Sequence, residues 1–146
     1  MYKNILLPLD LNEDSSWKRC LPVAVDMAKH YGAKLHIVTV LPDFGKSIVG
    51  GYFDKKFETR ALEKAKQALE ELLDRELADV DGLDAKGHIA HGTIYEEINN
   101  AADKLKCDLI IISSHRPELK DYLLGPNAAR VVRHASQSVL VVRDET

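Results

Sequence analysis

The chain has 146 residues, 45% of them hydrophobic and 29% charged, with a formal net charge of −3 at pH 7. That is one domain's worth of residues, enough to bury a core without metals or disulfides, and the 8 Gly and 5 Pro exclude collagen-like and disordered classes. The negative balance speaks against a nucleic-acid coat or a polybasic membrane arm, and the two distant cysteines, Cys20 and Cys107, against a disulfide framework or zinc cluster, which predicts a cytoplasmic protein.

In chain order, Ile5-Leu6-Leu7 predicts a first strand. The apolar run there is too short for a signal peptide, and no stretch approaches the ~20 apolar residues of a membrane span. Trp17, Leu21, Ala24, Met27, Ala28 and Tyr31 recur at three- and four-residue steps and predict a helix capped by Gly32, with an irregular first turn at Pro22. Leu35 to Val40 reads as the second strand. The stretch Pro42 to Asp54 is long for a strand–helix connection and is a candidate mobile flap, or equally a plain loop.

Phe57, Ala61, Ala65, Ala68, Leu69, Leu72 and Leu73 trace a second helix with a charged outer face. Ala85 to Ala90 is a weaker strand candidate. Thr93-Ile94-Tyr95-Glu96 has the form of a capping box and opens a third helix through Ile98, Ala102 and Leu105. Leu109 to Ile112 predicts a strand, Pro126 to His134 a helix with proline in its favourable first turn, and Val139 to Val142 the last strand. The strand runs are continuous rather than alternating, as in strands covered on both faces. The order βαβαβαβαβ predicts a doubly wound α/β domain of about five parallel strands spanning residues 1–146.

In such a sheet, ligands bind beyond the carboxyl ends of the strands where the winding reverses. Strand one ends in Leu7-Pro8-Leu9-Asp10, whose carboxylate can accept hydrogen bonds from ribose hydroxyls or, equally, cap the segment Asn12 to Ser16. Strand four runs through Ile112 into Ser113, Ser114, His115 and Arg116, and the segment ends at Gly125-Pro126-Asn127, which opens a helix. The unpaired amides and dipole of that helix favour an anion. Between residues 115 and 134 four Arg or Lys stand against two acids, a local +2 in a negative chain. A phosphate-bearing ligand is the inference.

The segments Ile5 to Asp10, Ser113-Ser114-His115-Arg116, Leu123-Leu124-Gly125 and Val131-Val132-Arg133-His134-Ala135 leading into Val139 to Arg143 together resemble the universal stress protein family, most of all its F- and G-type branch. The resemblance implies a Rossmann-like five-stranded parallel sheet in the order 3-2-1-4-5, an adenine nucleotide (ATP, ADP or AMP, with Mg only as its companion) between strands one and four, and a homodimer through the last strands. It implies that Asp10 holds the ribose, that the Val40 backbone lines the adenine slot, and that Ser113, Gly125 and Asn127 face ribose and phosphates. Pro8, Leu9, Ile112, His115, Arg116 and Pro126 complete the expected site.

The family's signature is Gly, two residues, Gly, nine residues, then Gly followed by a hydroxyl residue. Here these positions carry over to Ser113, Arg116 and Gly125, with eight residues in the last interval and Pro126 in the hydroxyl position. Proline brings neither N–H nor hydroxyl, so a phosphate there loses up to two donors, each worth about 1.5–3 kcal/mol. Arg116 either fills part of the cleft or supplies a compensating charge.

Other chemistries have less support. His88 and His91 lack a third ligand for a metal and read as ordinary rim histidines. His115 has no partner acid or nucleophile. A phosphoacceptor receiver domain would need an acid after strand three and a lysine after strand five, where His91 and Arg143 stand. Walker and dinucleotide glycine patterns are absent. The leading expectation is a nucleotide-binding stress-response regulator; the alternatives are a nucleotide-independent dimeric interaction module and a slow ATPase. The apolar terminal strand, at a sheet edge in the inferred order, predicts dimerisation through Val139 to Val142.

Overall fold

The computed structural model describes residues 1–42, 55–114 and 125–143. Its strands are β1 (Asn4–Leu9), β2 (Lys34–Leu41), β3 (Ala85–His91), β4 (Leu109–Ser113) and β5 (Ser138–Val142). Its helices are α1 (Cys20–Tyr31), α2 (Lys55–Glu76), α3 (Ile94–Lys104) and α4 (Pro126–His134), with a 3-10 turn at Asp14–Ser16. All strand pairings are parallel and the order is β3-β2-β1-β4-β5, as expected.

The continuous apolar runs follow from helices on both faces. Ile5, Leu7 and Leu9 of β1 pack with Leu21, Ala24 and Ala28 of α1 and with Leu69 and Leu72 of α2. Leu6 faces the other way, with Val38, Ile98 and Ala102 of α3, and Ala128 and Val131 of α4. Ile5, Leu6 and Leu7 are fully buried, and such burial stabilises by about 1.5–3 kcal/mol per side chain. Cys20 and Cys107 are free and buried; burial, then the neighbouring Asp108, pushes the Cys107 thiol up to about 12. Among the described residues no helix is long and apolar enough to cross a membrane.

Two helix starts differ from expectation. The first helix begins at Cys20, three residues after Trp17, which places Pro22 in the first turn, where no intrahelical N–H is required. Its end is as predicted: Gly32 adopts φ 63°, and the Ala33 amide returns to the Ala28 carbonyl at 2.8 Å. At α3, Thr93 is the N-cap residue but its side chain makes no capping hydrogen bond, so the capping box does not form. Thr93 contributes its carbonyl to the Glu97 amide at 2.9 Å, and the Glu96 carboxylate accepts from the Tyr95 hydroxyl instead.

Candidate functional site

The cleft opens where β1 and β4 part. The Asn4 carbonyl accepts the Asp108 amide at 2.9 Å, whereas the Lys3 carbonyl accepts that of Lys34 at 2.9 Å. Main-chain groups alternate sides along a strand, so Asn4, Leu6, Pro8 and Asp10 turn theirs toward β4 and the odd-numbered residues turn theirs toward β2. Pairing with β4 covers only Ile5 and Leu6. The next even position is Pro8, which has no N–H to continue the ladder. The strand tips separate there, at the point where the winding reverses.

The resulting cleft has a volume of about 240 Å³, just below the ~300–1,000 Å³ typical of ligand pockets, so it suits one small molecule. Pro8, Leu9, Asp10, Val40, Ile112, Ser113, Gly125 and Asn127 all line it. Pro126 stands beside it at the first helical position of α4. His115 and Arg116 lie outside the described residues, as do the expected loop over 43–54 and the segment Pro117 to Leu124.

Ser114, next to Ser113 in the segment that ends strand four, lines the cleft too, and Glu13, Ser15, Ser16, Ile94, Ile98 and Ala128 also line it but are missing from the sequence-derived set. Ile94 and Ile98 read as ordinary core positions of a helix, and the segment Asn12 to Ser16 only as one that Asp10 could cap. One signal was present: Pro8 sits inside an apolar run that reads as a central strand, a place where proline must interrupt pairing.

The floor is apolar, from Val40, Ile94, Ile98 and Ile112, and its polar groups sit on two walls. On the β1 wall, Asp10 is exposed and its Oδ1 accepts the Asn12 amide at 2.9 Å, so one oxygen does cap the local turn. Ser113 Oγ donates across to the Ser15 carbonyl at 3.4 Å, tying β4 to this turn. On the α4 wall, Gly125 is the N-cap and offers no side-chain acceptor, Pro126 is the first helical residue, and the first turn has no acid. The first amide returning into the helix is that of Ala129, to the Gly125 carbonyl at 3.0 Å. Those of Asn127 and Ala128 precede it and have no intrahelical acceptor. Their residues line the cleft, so this wall presents amide donors and the positive end of a dipole.

A second helix starts at the cleft. Gly92 precedes α3 at φ 142°, a conformation other residues rarely adopt, and its amide reaches the Leu41 carbonyl at 2.9 Å. Glu96 and Glu97 occupy the first turn of α3.

The histidines lie elsewhere. His88 is not a simple rim residue: its Nε2 lies 2.9 Å from Nδ1 of buried His36. Burial, then the neighbouring His88 charge and Lys34, holds His36 below its usual range, with Asp84 opposing; burial, then Lys86 and Lys34, does the same to His88. His91 pairs with Glu58 of α2 at 3.1 Å.

Residues 1–143 match the model of the Universal stress protein family. Over 145 residues, 98% of this chain and 100% of the relative, the sequence is 30% identical to Universal stress protein G of Escherichia coli O157:H7. The solved universal stress protein UspA from Lactobacillus plantarum is similar with a TM-score of 0.79 and 24% identity, over 97% of this chain and 98% of that one. A universal stress protein solved in complex with cAMP shares the fold at TM-score 0.61 and 23% identity, over 99% of this chain and 98% of that one. So does the Archaeoglobus fulgidus universal stress protein in complex with dAMP, at TM-score 0.60 and 20% identity, over 96% of this chain and 97% of that one.

Proposed function

This chain belongs to the universal stress protein family, and on that footing we propose that the β1/β4 cleft binds an adenine nucleotide, ATP, ADP or AMP, as the regulatory input of a stress-response protein. The observation that carries the reading is the α4 wall: an N-terminus without side-chain cap or acidic residue, beside a cleft whose opposite wall holds the Asp10 carboxylate. A phosphate answers the first and a ribose hydroxyl the second. The apolar floor at Val40 and Ile112 offers a slot for the base. Two proteins of the same fold hold adenine nucleotides, cAMP and dAMP, which supports the same ligand class here. Because Pro126 supplies neither amide nor hydroxyl, the phosphate end is short of donors, and AMP and ADP lose less by this than ATP, whose chain of phosphates needs more contacts. Mg accompanies the nucleotide phosphates only.

Calorimetric titration of the purified chain with AMP, ADP and ATP tests this. Saturable heat in the micromolar to low millimolar range is expected, and none from any of the three at millimolar ligand would overturn it. Pro126 also favours a second reading, a nucleotide-independent interaction module. On that reading the parent binds nothing and Pro126→Ser creates binding. Its partner would be a second copy, paired through the edge strand β5, whose Val139, Leu140 and Val141 are only half-buried. The nucleotide-binding form would dimerise by the same edge, and a monomeric sedimentation profile at high micromolar concentration would remove this pairing from both.

A further inference from the structure

We infer that Ser16, which the nucleotide reading leaves without a role, is the positioning residue that sets the Asp10 carboxylate for a ribose. The inference rests on that reading and adds a residue to it. Asp10 is the last even-numbered position of the run from β1, so its amide turns toward β4, but the ladder has already ended before Pro8. That amide would be stranded at the mouth of the cleft. Ser16 Oγ accepts it at 2.8 Å. The same hydroxyl lies 3.0 Å from the Asp10 carbonyl and 2.7 Å from the Glu13 carbonyl, and its single proton serves one of them at a time. The Asp10 carbonyl also takes the Glu13 amide at 3.1 Å. One side chain six positions along thus stands in for the missing neighbour strand: it holds the Asp10 amide and shares its proton between the Asp10 and Glu13 carbonyls.

With its backbone held, Asp10 has one oxygen occupied, Oδ1 by the Asn12 amide at 2.9 Å. Among the described residues Oδ2 receives no hydrogen bond, so it is left to accept one from a ligand. Ser15, next to Ser16, takes the bond from Ser113 of β4, and the turn is thereby anchored to the ends of both β1 and β4. A carboxylate recognises a hydroxyl only if its position is held within about 0.5 Å. Removing the Ser16 hydroxyl therefore loosens the aim of Asp10 without altering the floor or the α4 amides. The consequence is selective: hydroxyl-dependent affinity falls and the rest stays.

The test is the affinity ratio of AMP to 2′,3′-dideoxy-AMP, measured by titration calorimetry on the full chain. The parent is expected to prefer AMP by about tenfold or more, the scale of a hydrogen bond to a charged group, and Asp10→Asn to lose most of that preference. Ser16→Ala is expected to cut the preference about threefold or more while leaving the affinity for the dideoxy ligand unchanged, and Ser16→Thr, which keeps the hydroxyl, to restore it. Should the alanine variant not fold, Ser16→Cys, similar in size but a weak hydrogen-bonding group, reads the same ratio. Equal loss for both ligands, or an unchanged ratio, overturns the inference, because a purely structural role weakens both alike. A parent that binds both nucleotides equally removes the role of Asp10 and this inference together but leaves the nucleotide reading standing, whereas a parent that binds neither overturns both.

Discussion

Two helices begin at the cleft, and they finish their first turns in opposite ways. At α3 the first turn carries Glu96 and Glu97, so the positive end of the dipole is answered by the helix's own carboxylates. At α4 the first turn has no acid, the N-cap is a glycine and the first residue a proline. The contrast separates a helix end that is complete in itself from one that is left for something else to complete. Proximity to the cleft is common to both; only the unanswered charge distinguishes the wall that would hold a phosphate.

The largest effect expected concerns the packing role of α3. Ile98 is 3% exposed and joins the core beneath α3, so Ile98→Ala should cost about 2–5 kcal/mol in urea unfolding. A loss under about 1 kcal/mol would mean that α3 does not anchor the core beneath the cleft floor. A smaller effect, with two opposite signs, probes the helix ends directly. Asn127→Asp puts a carboxylate into the first turn of α4; it should raise stability by about 0.3–1 kcal/mol while weakening AMP binding several-fold. Glu97→Gln should lose a similar amount of stability and leave AMP affinity as it was. If both substitutions act on AMP affinity alike, the two ends are equivalent and the contrast fails.

The smallest expected effect is a pH dependence on the α3 side of the sheet. His36 shares a face with Val38, by strand alternation, and both it and His88 are held below the ordinary value of 6.5 in the folded chain, chiefly by burial. The unfolded chain therefore binds more protons below that pH. The contribution of the pair is complete above about pH 6.5 and is lost as pH falls through the depressed folded values. Urea midpoints should drop between pH 7.5 and 5.5, and a His36→Gln, His88→Gln variant should flatten that drop. A midpoint that rises on acidification would contradict the neutral pair.

Much of the fold was legible because a strand covered on both faces leaves a continuous apolar run. Leu109 to Ile112 was read from that pattern and the strand is Leu109–Ser113. The weakest candidate, Ala85 to Ala90, is β3, an edge strand with half-buried residues, and an edge needs less apolar surface to hold it. The start of α1 was misread because apolar spacing continues back to Trp17 although Pro22 needs the helix to begin close before it. The capping box failed for a related reason: the motif is local, but Glu96 found a nearer donor in Tyr95. At the cleft, Asp10, Ser113, Gly125 and Asn127 were accessible because each stands at a strand tip or helix start, whereas Glu13, Ser15 and Ser16 are turn residues whose meaning depends on what they face.

The residue order by itself determined the alternation of strands and helices, the placement of an acid after the first strand and the proline-led helix near the end, because periodicity and backbone restrictions act over a few neighbouring residues. Only the tertiary structure decided that Pro8 falls on the side of β1 that turns to β4, that the strands part there, and that the Ser16 hydroxyl takes the place of the missing neighbour. Those outcomes depend on which edge of a strand meets which partner, a relation between segments about a hundred residues apart in the chain.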